Sequence, residues 1–382
     1  MQQRSIRQSA SGLAVFAVGA CAILSGCSDS DPGSAATPEP ELTYTDGSLM
    51  AMTEWGDPDL QGMWPIMHIF TTPLQRPGNV AEGESRIRTE EEIAQAQAGM
   101  DRRDAAYDQM VESGTLGMGG WAESTTTVGA IELRYLTSYP ESGQFPGLNE
   151  YGESLRPLFK SDDTQPMVFD TPADFDQWDR CVTRGLPMSM LPFNYNNGIR
   201  IIQSPGFVVI DLEMIHESRV IPVDDRPPLD SEIRQWLGES RGYWEGPTLV
   251  IETTNFNGLS NMTISGVPGG VTGDTPTTTN MKVTERLTRV SAERIEYEIT
   301  VEDPSILNDR WTISYPMILD PTYQFFEYAC HEDNTAVRNF IETSRYEREN
   351  PEEFAQPAGR GGFGGGRGGR AGGPGRGGPP PQ

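Results

Sequence analysis

From Asn197 onward, apolar and β-branched residues recur with a period of two, in runs of five to nine residues separated by turn formers, and this rules out a helical body for that half of the chain. The runs are Ile199 to Gln203, Phe207 to Ile215, Arg219 to Val223, Thr248 to Thr253, Lys282 to Val290, Ile295 to Val301, Trp311 to Leu319 and Gln324 to Cys330. Around Ser291-Ala292-Glu293 the pattern is clearest: Ile295, Tyr297, Ile299 and Val301 alternate with Glu296, Glu298, Thr300 and Glu302. One face of such a strand is buried and the other is wet. Eight strands joined mostly by short turns predict a mainly β protein, an up-and-down eight-stranded barrel or a curled antiparallel sheet of lipocalin type. The barrel domain is expected over 197–346.

The segment in front is different. Glu54 to Trp64 carries turn punctuation between two tryptophans, which are expected to plug a core edge, and His68 lies among apolar neighbours as a core histidine would. Thr89-Glu90-Glu91-Glu92 is a capping box ahead of an Ala, Glu, Gln and Arg run, so a helix is expected over 89–111. Residues 54–196 therefore read as a helical wrapping segment. Asn334 to Arg345 has Val337, Phe340, Ile341 and Ser344 at helical spacing, which predicts a closing helix. The Gly, Thr, Pro and Asn rich stretch from Thr254 to Met281 is long enough to be a lid.

The chain begins with Arg4 and Arg7, an apolar run from Gly12 to Leu24, and Leu24-Ser25-Gly26-Cys27. That pattern is a bacterial lipobox, so 1–27 is expected to be a lipoprotein signal peptide, with Cys27 lipidated and 28–53 a flexible tether. The apolar run is too short to span a bilayer. An N-terminal lipid implies a membrane partner and a place in the bacterial cell envelope, facing the periplasm or the surface and attached to the outer membrane. Residues 347–382, rich in Gly, Arg and Pro, read as a disordered tail. With a formal net charge of −26 the chain repels phosphate backbones, so nucleic acid is not an expected partner. Of 4 cysteines, Cys21 leaves with the signal and Cys27 takes lipid, which leaves Cys181 and Cys330 to pair in an oxidising compartment.

Polar groups that could meet in one cavity fall in four clusters. They lie around Arg184; Glu213, His216 and Arg219; Arg241 and Trp244; and His331 with Glu332. Histidine is the side chain suited to proton transfer near neutrality, so His216 and His331 with Glu213 and Glu332 are the catalytic candidates. Arg184, Arg219, Arg241 and Trp244 are the ligand-binding candidates. The two histidines and a glutamate could alternatively ligate a metal, though no HExxH, CxxC, GxSxG or phosphate loop is present, and no cofactor is indicated.

The motifs WGDPDLQGMW, RCVTRGLP, EMIHESRVIPVD, IRQWLGESRGYWEGPTLVIETTNF, VTERLTRV, YEITVEDP and FEYACHEDN resemble those of an uncharacterised family of secreted bacterial proteins. The resemblance runs from about Trp55 to Arg345 and implies a β-rich extracytoplasmic domain; the family has no established activity. Members often carry RPH where this chain has Arg226-Pro227-Pro228, and an arginine where it has Tyr243. The expected function is binding of a small organic ligand in a barrel cavity. The alternatives are a hydrolase or lyase using His216 and His331, and a structural envelope protein.

Overall fold

A computed structural model describes residues 42–115, 131–158, 168–193, 195–262, 270, 275–332 and 334–354. The chain divides into two units, Met1–Pro40 and Glu41–Gln382, and the first lies wholly outside the described residues. The expected signal peptide, the lipidation site Cys27 and most of the tail therefore lie outside them too. No helix among the described residues is long and apolar enough to cross a membrane.

The second unit is mainly β, with 12 antiparallel strands and few helices among the described residues. In chain order the first half gives β1 (Gly62–Met63), α1 (Glu90–Glu112), β2 (Thr137–Tyr139) and α2 (Glu150–Leu155). The second half gives β3 (Ile199–Ser204), β4 (Phe207–Leu212), β5 (Glu217–Pro222), β6 (Glu239–Glu245), β7 (Thr248–Thr254), β8 (Asn261–Met262) and β9 (Thr275–Pro276). These are followed by β10 (Lys282–Ser291), β11 (Arg294–Glu302), β12 (Trp311–Ile318), α3 (Ala336–Glu349) and α4 (Pro351–Phe354).

The strands form a four-stranded sheet in the order β1-β3-β4-β5, a six-stranded sheet in the order β2-β12-β11-β10-β7-β6, and a small β8-β9 pair. No closed barrel forms among the described residues. The two large sheets still approach at both ends. Asp320 N donates to Met63 O at 2.9 Å beside β1. At the other end a Cβ on Gly242 of β6 would lie 3.0 Å from Val223 and 3.2 Å from Ile221, so glycine here lets the sheets approach closely.

The alternation seen in the sequence is what fills the space between the sheets. Val283, Glu285, Leu287 and Arg289 of β10 and Ile295, Tyr297, Ile299 and Val301 of β11 are all buried, facing Ile201, Val208, Ile210 and Ile221 of the smaller sheet in one apolar core. Two of the inward residues on β10 are charged. Glu285 takes both terminal nitrogens of Arg219 from β5 and the Tyr297 hydroxyl at 2.8 Å, with the pair's side chains 0 % and 2 % exposed. Arg289 lies under the Trp64 ring, 5.5 Å from its centroid, and donates to Asp59 O at 2.6 Å.

Several expectations shift. Gln324 to Cys330 is not a strand: its backbone runs as an irregular strap whose polar groups meet side chains instead of a ladder. The strand that replaces it is β6, hidden in the sequence because Gly242 and flanking charges break its alternation. The strand from Phe207 stops at Leu212, not Ile215, since Ile215 and His216 take left-handed backbone angles, φ 61° and 41°. The wrapping segment supplies edge strands to both sheets. α1 begins at Glu90 with its Thr89 capping box formed, and α3 extends past the expected end to Glu349. Within the stretch expected as tether Tyr44 and Met50 are buried, and within the expected tail 347–349 and 351–354 are helical. Trp64 is fully buried but Trp55 is not. Of the expected lid, Phe256, Ser260, Asn261, Met262 and Thr277 are packed, and Asn261 O accepts from Gln177 Nε2 at 3.0 Å; 263–269 and 271–274 lie outside the described residues.

Candidate functional site

The turn after β4 and the strap 323–332 define the candidate site together. Glu213, at the head of the turn, is 2 % exposed and its carboxylate meets four donors. Oε1 accepts from Asn196 Nδ2 at 3.1 Å and Phe326 N at 2.7 Å; Oε2 accepts from Gly198 N at 2.9 Å and the Tyr323 hydroxyl at 2.5 Å. A buried carboxylate is tolerated only when its lone pairs are met in this way. Glu213 therefore anchors the strap to β3 and β4.

The disulfide Cys181–Cys330, Cα to Cα 5.7 Å, holds the other end of the strap. Between the two anchors lies a cleft of about 380 Å³ lined by Asp211, His216, Phe325, Phe326, Tyr328 and Glu332 among others. His216 Nδ1 lies 3.0 Å from the Tyr328 carbonyl oxygen. A carbonyl only accepts, so Nδ1 carries the proton in the neutral ring and Nε2 keeps its lone pair. Asp211 is committed to Arg200 and to the Ser218 hydroxyl, the latter at 2.7 Å. Glu327 and Glu332 have no ion-pair partner among the described residues, and Phe326 is 64 % exposed. The successive left-handed residues Ile215 and His216 are costly for non-glycine side chains, of order 1–3 kcal/mol each, and such strain concentrates at functional sites.

The structure brings together Glu213, His216 and Glu332, and leaves the other candidates elsewhere. His331 is exposed and does not line the cleft. Arg219 is turned into the core and spent on Glu285. Arg241 pairs with Glu239 and donates to Pro227 O at 2.9 Å, tying down the 226–229 segment that also gives Leu229 N to Glu239. Trp244 packs on the core edge. Arg184 is buried against the rings of Trp178 and Phe193, 5.1 and 5.2 Å from their centroids. The four binding candidates thus share no cavity, because each serves the packing of its own strand end. For the metal alternative, no group of three or more His, Cys, Asp or Glu side chains among the described residues is placed to hold an ion.

Sequence reading missed the role of the strap. Phe325, Phe326 and Tyr328 resemble a strand, and only the pairing of Phe326 N with Glu213 reveals that they form the cleft wall. It also missed Glu217, which burial pushes above the usual carboxylate range beside Thr183 and the Arg184 backbone. No protein-family model, curated protein or solved structure matches the chain.

Proposed function

We propose that this is an envelope lipoprotein that binds a small organic ligand, and that the ligand sits in the cleft at the turn–strap junction and not in the middle of a closed barrel. The supporting observation is the lining itself. The exposed Phe326 ring and the half-buried Phe325 and Tyr328 stand beside two carboxylates without cationic partners, and a histidine whose Nε2 has no hydrogen-bond partner, among the described residues. That combination suits a small organic cation, an amine carrying an apolar group, since ring faces and carboxylates both attract it. The net charge of −26 favours its approach at low ionic strength. The strands then act as the curled scaffold on which the cleft is held.

The second reading is acid/base chemistry at the same place, favoured by the Nδ1 contact to Tyr328 O. It makes His216 a base through Nε2, with Glu332 in reach of the same cleft as acid; His331 has no part in it. A thermal-shift screen of arylalkyl and alkyl amines tests both. Binders should raise the midpoint of the native chain and lose that effect in His216→Leu and Glu332→Gln, while the unliganded midpoints stay close to native. If no amine acts, or if those variants bind as well as native, the cleft assignment is wrong and the purely structural reading stands. Turnover of a bound ester or amide that vanishes in both His216→Leu and Glu332→Gln favours the second reading.

A further inference from the structure

Arg184 is a buried cation that forms no ion pair among the described residues. It is 4 % exposed, and Nη1 donates to Leu191 O at 2.7 Å, while Nε and Nη2 have no hydrogen-bond partner among the described residues. The buried carboxylates nearby are committed elsewhere. Glu213 takes its four donors, and Glu217 takes the Arg184 backbone N–H, Thr183 and, at 3.5 Å, the Ser189 hydroxyl. The ring faces of Trp178 and Phe193 offset only part of the hydration that a guanidinium loses on burial. Burial lowers the Arg184 pKa to about 10, which still leaves the group charged at neutral pH.

Against this side chain lies a small cavity of about 10 Å³, lined by Arg184, Ser189, Leu191, Asn196, Asn197 and Gly198. That space holds one guest about the size of a water molecule. The amide of Asn197 is already occupied on both atoms, accepting from Phe193 N at 2.7 Å and donating to Phe193 O at 2.8 Å. The groups at the cavity without a hydrogen-bond partner among the described residues are therefore donors, Nε and Nη2 of Arg184. Donors alone call for a guest that accepts, and an uncompensated cation calls for one that is negative.

We infer that this cavity is a site for a single monatomic anion of halide type, chloride in ordinary solution, held by Nε and Nη2 of Arg184. The site lies behind the cleft, on the other side of Leu212, and does not depend on what the cleft binds. An anion there completes the support of Asn196 and Gly198, the two residues that present their N–H groups to Glu213.

Crystals of the native protein grown in sodium bromide, with data collected at the bromine absorption edge, test this directly. The expected result is an anomalous peak beside Nη2 of Arg184, together with a melting midpoint that rises with the logarithm of bromide concentration when gluconate is replaced at constant ionic strength. Arg184→Met should lose the bromide dependence; if that variant does not fold, the native map alone decides. A peak in the cavity without anomalous signal identifies a water and overturns the inference, as does a native midpoint indifferent to the exchange of bromide for gluconate.

Discussion

Glu213 and His216 sit three positions apart and do opposite things, which the sequence alone could not separate. Both are polar residues at the end of an apolar run, so both looked like site residues. The difference is burial: Glu213 is enclosed by four donors, whereas His216 is exposed and makes one contact through Nδ1. Glu213→Leu should therefore cost at least about 3 kcal/mol, because it orphans several buried N–H and O–H groups at once. His216→Leu should stay within about 1 kcal/mol of native. Urea denaturation of the two variants measures both, and equal losses would contradict the division of labour. His68 gives the third case. Burial depresses its pKa from 6.5 to about 4, so between those values the unfolded chain binds more protons than the folded one, and stability rises with pH across that window. The span amounts to on the order of 3 kcal/mol. Glu217, pushed up by burial, works the other way above the usual carboxylate range and trims the slope. Denaturation midpoints from pH 4 to 7 should climb in the native protein and flatten in His68→Gln, which can still donate to the Pro316 carbonyl.

At the scale of elements, the strap 323–332 decides what the cleft can be. It was read as the eighth strand because Phe325, Phe326, Tyr328 and Ala329 suit a sheet, and nothing local reveals that its partner is a carboxylate on another turn. Strand β6 was missed for the converse reason: Gly242 is there to admit Val223 and Ile221, a long-range demand that leaves only a broken pattern in the chain. By contrast α1, β10 and β11 were legible, since a capping box and strict alternation are local signals. The disulfide fastens the strap at Cys330 across a sequence separation of 149. Replacing both cysteines by alanine should lower stability by roughly 5 kcal/mol on chain-entropy grounds and free the strap before the sheets. Hydrogen exchange should then show amides of 325–332 losing protection while those of β10 and β11 keep theirs; loss spread evenly over both would show that the strap has no independence.

For the molecule as a whole, the sheets are joined by packing at both ends and by one buried ion pair through the middle. Arg219→Met leaves the Glu285 carboxylate enclosed with only Tyr297 for support and should cost about 3–5 kcal/mol, whereas Arg219→Met with Glu285→Leu should recover most of the loss. A double variant as unstable as the single one would mean that the charges do more than satisfy each other. The inward charge on β10 was legible as a position, from the alternation, but not as a pair, since its partner lies in the other sheet. What this scaffold presents is the cleft, and the chain's 3 histidines report on it from different places: His68 in the core, His216 in the cleft, His331 exposed outside it. Carbon-detected NMR of the protein labelled at histidine, titrated with the amines that raise its melting point, reads all of them in one spectrum. The His216 ring signals should shift and saturate with the binding curve while those of His68 do not move. An amine that binds and leaves His216 unmoved would contradict the cleft assignment.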